Sequence, residues 1–144
     1  MSDRKSALIV ILALLMAVAL GQSSSTNDSK LVGTWKGKMY GVPAVTLVLE
    51  KDGGKINGTV LFFLIRHNDG KPPRSSRGIV EPLIDPQFDG KVLRFQVSHR
   101  NAHPPRTLND PPVKFRFTLI NDRKAFLVRE GGEPDSSSEL VKER

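Results

Sequence analysis

Three histidines, a handful of carboxylates and a set of phenylalanines are the side chains with which this chain could do chemistry or hold a ligand. His99 and His103 stand four apart. On a helix that spacing brings two imidazoles to one face, as zinc coordination needs. The segment Arg100-Asn101-Ala102-His103-Pro104-Pro105 does not favour a helix. The pair therefore reads as loop histidines on the surface, and so does His67. Ser98 adjoins His99, but adjacent residues of a strand point to opposite faces, which separates a nucleophile from its base. Glu81, Asp85 and Asp89 have the chemistry of an acid and a base. Their setting among Pro82, Pro86 and Gly90 is that of turns. Gly53-Gly54 and Gly131-Gly132 read as hairpin glycines, not as a loop that cradles phosphate. The expectation is a protein without catalytic residues, metal ligands or cofactor, hence not an enzyme.

The apolar side chains suggest binding instead. Phe62, Phe95, Phe115 and Phe117 fall at inward positions, together with Leu47, Leu49 and Leu93. They either fill the interior as a solid core or line an apolar pocket, and the sequence leaves both open. Arg100 precedes and Arg106 lies within a proline-rich loop over Asn101 to Pro112, and Arg66, Lys71, Arg74 and Arg77 border a second loop over Asn68 to Gly78. If both loops lie at one end, they form a basic rim for the anionic head of a ligand. Lys36, Lys38, Lys114 and Arg116 alternate outward and offer a basic outer face as a second surface.

The elements that must position these residues follow a period-two pattern broken by turn residues. Leu31 to Tyr40, Ala44 to Lys51, Lys55 to Arg66, Ile79 to Ile84, Lys91 to His99, Val113 to Ile120, Lys124 to Arg129 and Glu139 to Lys142 read as strands. Val113, Phe115, Phe117 and Leu119 alternate cleanly against Lys114, Arg116 and Thr118. Pro82 places its strand at an edge or bulge. The expected fold class is all-β, an antiparallel up-and-down meander of about eight strands closed into a small barrel, which removes the exposed edges of an open sheet.

Ahead of this domain, Arg4 and Lys5 precede an unbroken apolar run from Ala7 to Leu20, then Gly21. This is the pattern of a secretory signal peptide over residues 1–21. The run is shorter than the roughly 20 residues of a spanning helix, and an uncleaved N-terminal anchor is the alternative. Residues 22–29 are polar and read as a flexible leader, with the barrel domain over 30–144. The formal net charge of +7 falls by one when Arg4, Lys5 and Asp3 leave. With no cysteine, the domain relies on burial without disulfides. These features place the protein outside the cytoplasm, periplasmic or extracellular, with no stable membrane span after cleavage. Export argues against nucleic acid as partner, and an anionic envelope component suits the basic charge better.

Leu31-Val32-Gly33-Thr34-Trp35 resembles the Gly-x-Trp opening of lipocalins and the Gly-Thr-Trp of avidin-like and fatty-acid-binding proteins, together the calycin barrels. It is also similar to small exported bacterial proteins that open the same way. The resemblance implies that Trp35 is a structural plug at the closed end of a barrel, crossed by a basic residue of the last strand. That residue is Arg129, or Lys142 or Arg144 if Glu139 to Lys142 is the final strand. A core tryptophan of another β-sandwich is the alternative. The chain lacks the cysteines and C-terminal helix of true lipocalins and the biotin-contacting pattern of avidins. The functional expectation is a barrel that binds a small apolar or amphipathic ligand through Phe62, Phe95, Phe115, Phe117, Arg100 and Arg106. The alternative is an interaction module contacting an anionic envelope polymer or a protein through its basic outer face.

Overall fold

Residues 23–68, 70–98, 111–132 and 137–144 are described by the computed structural model, with side chains from Asn27 onward. The apolar run assigned to a signal helix lies outside them. A short helix, α1 (Ser23–Leu31), leads into nine strands among the described residues: β1 (Gly33–Met39), β2 (Val42–Asp52), β3 (Lys55–Arg66), β4 (Arg74–Pro82), β5 (Ile84–Phe88), β6 (Val92–Val97), β7 (Val113–Leu119), β8 (Lys124–Arg129) and β9 (Ser138–Lys142).

Every paired neighbour is antiparallel, in the order β4-β3-β2-β1-β9-β8-β7-β6-β5. The first and last strands meet, with Trp35 opposite Lys142 and Gly37 opposite Leu140. The chain therefore curls into a nearly closed barrel, compatible with a calycin-like fold. The remaining seam runs between β3 and β5. There the backbone N–H of Leu83 donates to the Gly58 carbonyl at 3.0 Å.

Two differences from the sequence reading concern this seam. The stretch 74–78, expected in a loop, is the first half of β4, and a further strand, β5, follows it to Phe88. Ser75, Ser76 and Arg77 gave no apolar alternation because this half of β4 runs along the barrel rim, where little is buried. β4 bonds to β3 and β5 bonds to β6. One bent stretch of chain thus changes partner, with Pro82 and Pro86 at positions that need no ladder donor. Asp85, at φ 47, absorbs the break in register between Ile84 and Gln87.

Turn chemistry sets the hairpins. Gly53 (φ 54) and Gly54 (φ 80) form the two-residue turn between β2 and β3, as expected from their types. The β1–β2 turn lies at Tyr40 (φ 53) and Gly41 (φ 78), so β2 begins at Val42, ahead of the Ala44 start expected for that strand. Gly58 permits a close approach of β3 to β2: a Cβ there would stand 2.1 Å from the Val48 carbonyl oxygen.

The core fills the lower part of the barrel. Trp35, Leu47, Leu49, Val60, Leu93, Phe117 and Leu140 are fully buried. Burying a large apolar side chain contributes roughly 1.5–3 kcal/mol, and nothing covalent shares the task in a chain without cysteine. Helix α1 closes the bottom, where a flexible leader was expected. Its Ser, Thr, Asn and Asp residues are weak helix formers, so tertiary contacts hold it. Leu31 is fully buried, Asp28 pairs with Lys51 at 2.7 Å, and Lys30 pairs with Asp122 at 3.2 Å. Among the described residues no helix is long and apolar enough to cross a membrane.

Candidate functional site

The two ends of the barrel are chemically distinct. At the closed end, Trp35 on β1 is sealed on every side. Its indole Nε1 donates to the Leu31 carbonyl of α1 at 2.8 Å. Phe117 meets it edge-on, with ring centroids 5.0 Å apart at 77°. Lys142 of β9 lies over the ring with Nζ 5.5 Å from the centroid, and the same Nζ donates to the Lys30 carbonyl at 2.9 Å. The indole face attracts the ammonium, and the stem of the lysine covers the ring from water. The basic residue at the plug is therefore Lys142. Arg129, the assignment made when β8 is taken as last, stands at the opposite end, because β9 is the strand that pairs with β1.

At the open end, a cavity of about 290 Å³ is lined by Met39, Ala44, Val45, Phe62, Phe63, Ile65, Phe115, Leu127, Arg129 and Ser138. Phe62 and Phe115 stack on each other in its wall with centroids 5.2 Å apart. Phe95 stacks behind Phe115 at 5.6 Å and is buried. Of the four phenylalanines expected to act together, Phe62 and Phe115 line the cavity. Phe95 supports Phe115 from the core, and Phe117 belongs to the plug. The lower part of the barrel is thus filled by side chains, and the recess at the upper end is lined by Phe62 and Phe115.

Phe63 and Ile65 also line the cavity, although strand parity sets them on the face opposite Phe62. The break in the β3–β4 register between Leu61 and Phe63 adds its extra residue to β4 and leaves β3 regular against β2. The available signal was the uninterrupted apolar run over residues 60–65, which has no alternation to keep. Opposite Val60 on β4 sits Glu81, which is buried. Residues directly opposed across a ladder share a face, so Glu81 lies on the interior side. The sequence reading set it in the strand Ile79 to Ile84 and ascribed its carboxylate to turn chemistry beside Pro82.

The other singled-out groups are dispersed. Asp85 accepts a hydrogen bond from Gln87 Nε2 at 3.0 Å. Asp89 caps the β5–β6 turn, accepting from the N–H groups of Val92 at 2.8 Å and Lys91 at 3.0 Å and from Arg94 at 2.9 Å. The Val92 N–H, then the Arg94 side chain and the Lys91 N–H, hold its pKa down at about 2. Both aspartates therefore serve turns. His67 is exposed and stacks on Tyr40 at 4.9 Å. His99, His103, Arg100 and Arg106 lie outside the described residues. Among the described residues no three His, Asp or Glu side chains converge as metal ligands. Lys36 pairs with Glu143, and Phe126, Val141 and the Lys124–Glu139 ion pair at 3.3 Å lie on the strands between β1 and β7. Lys36, Lys38, Lys114 and Arg116 therefore form no continuous stripe.

Comparison with models of protein families, with curated proteins and with solved structures yields no match.

Proposed function

We propose that this chain is an exported, non-enzymatic barrel that takes the apolar part of a small amphipathic molecule into its open end. The observation that carries this reading is the cavity stacked by Phe62 and Phe115, with Arg129 at its wall. Ligand sites combine an apolar lining with a few polar groups that orient the ligand. Arg129 has no ion pair among the described residues and supplies a guanidinium for an anionic or hydrogen-bonding head. The volume suits a short alkyl chain or a single ring system, since drug-sized pockets begin at roughly 300 Å³. Export rests on the charged start and apolar run of residues 1–21. The interaction-module alternative has less support, because its outer cations are interrupted by carboxylates and apolar side chains.

Titration with a neutral naphthylamine probe tests the proposal. A saturable rise in fluorescence is expected, competed by short-chain amphiphiles and weakened about tenfold by Phe115→Ala. An unsaturable signal that ignores this substitution would remove the reading.

A further inference from the structure

Beside the cavity mouth, β3 and β4 end on a like-charge rung. Arg66 and Arg74 are directly opposite each other in register. Like charges so placed weaken an antiparallel pair. Neither arginine has an ion pair among the described residues. The contrast within the same barrel is Arg94 opposite Arg116, where Asp89 takes Arg94 at 2.9 Å. The β3–β4 connection adds a third cation. Lys71 donates its backbone N–H to the Asn68 carbonyl at 3.0 Å, and Arg66, Lys71 and Arg74 line one recess of about 150 Å³ with Asn68 and Pro72. Asp69, the carboxylate of this connection, lies outside the described residues. A small space with three cations around it fits one compact oxyanion, and an anion there relieves the repulsion across the rung.

Two exposed side chains with apolar surface stand at the same end of the barrel. Tyr40, 64% exposed, projects from the β1–β2 turn with its ring on His67, and Leu64, 62% exposed, lies two residues before Arg66. Tyrosine beside arginine and lysine is the composition that settles at a membrane–water boundary. A free phosphate would use the cations and leave Tyr40 and Leu64 without a role.

We infer that this corner docks on an anionic lipid bilayer, with a lipid phosphate held among Arg66, Lys71 and Arg74 while Tyr40 and Leu64 enter the headgroup layer. The inference goes beyond the cavity reading and holds whether or not the cavity takes a ligand.

Co-sedimentation of the full chain with vesicles tests it. Phosphatidylcholine vesicles are compared with vesicles in which a third of the lipid is phosphatidylglycerol. The apolar run of Ala7 to Leu20, with Arg4 and Lys5 before it, is common to every variant, so the difference between parent and variant reports on the corner. The chain is expected to prefer the anionic vesicles and to lose that preference as salt rises. Each cation near such a surface is worth about fivefold in binding, so the triple substitution Arg66→Gln, Lys71→Gln, Arg74→Gln should cost about a hundredfold at low salt. Arg74→Gln alone should raise the melting temperature while weakening vesicle binding, a pair of opposite changes that a structural role does not give. Equal binding to both vesicles, or a triple variant that binds like the parent, would overturn the inference. So would saturable protection by inorganic phosphate without any vesicle preference, which would mark a site for a soluble anion. Probe uptake by the triple variant, measured in parallel, reports on the cavity separately.

Discussion

Lys142 stands over the face of Trp35, its Nζ 5.5 Å from the ring centroid, and so joins the first strand to the last at the closed end of the barrel. The pair fixes where the meander meets itself. Trp35→Ala should cost about 3–5 kcal/mol, as expected for a fully buried large aromatic residue. Trp35→Phe should cost about 1–3 kcal/mol, because the Leu31 carbonyl loses its 2.8 Å partner. Lys142→Met, which keeps the apolar stem, should cost about 0.5–1 kcal/mol. Urea unfolding followed by far-ultraviolet circular dichroism measures all three.

Gly58 controls the other end of the closure. It brings β3 against β2 and offers its carbonyl to Leu83 across the seam. Gly58→Ala places a methyl group 2.1 Å from the Val48 oxygen. The backbone must move, and a loss of about 2 kcal/mol or more is expected. Hydrogen exchange should show the Leu83 amide losing protection before the amides of β6 and β7.

Tyr40 occupies the left-handed region at φ 53, where a side chain collides with its own backbone. Tyr40→Gly should remove that strain and raise stability by about 0.5–1 kcal/mol, despite loss of the stack on His67. Thermal unfolding checks this. A stabilising loss of an exposed tyrosine would show that the residue is kept for something other than folding.

Asp89 gives the fold an acid dependence of known sign. Its carboxyl is held at about 2, below its ordinary 3.8, by two turn N–H groups and Arg94. A carboxylate depressed on folding contributes stability that is complete above the unfolded value and is lost as pH falls through the folded one. The contribution of the β5–β6 turn should therefore fade between roughly pH 4 and pH 2. An NMR titration should place the Asp89 midpoint near 2, and Asp89→Asn should flatten the stability profile in that window.

The strands with one buried and one wet face were legible residue by residue: Leu93, Phe95 and Val97 against Arg94 and Gln96, or Phe115 and Phe117 against Lys114 and Arg116. Legibility failed where burial does not follow parity. The rim half of β4 has little to bury, and the upper end of β3 is apolar on both faces, so parity did not place Phe63 and Ile65 at the cavity. Helix α1 was hidden because partners in the barrel, not its own residues, hold it. The plug residue depended on which strand comes last, a question of topology that spacing does not answer. Arg66 and Arg74 were visible as rim cations, but their opposition in register exists only once β4 is paired to β3.

Chemical-shift mapping of the labelled protein with a short-chain amphiphile tests the central claim most directly. Saturable shifts are expected at Met39, Ala44, Phe62, Phe115, Leu127 and Arg129, with Trp35 and Phe117 unmoved in the solid lower half. Shifts that never saturate, or that centre on Trp35 rather than on the cavity lined by Phe62 and Phe115, would rule out a ligand at the open end.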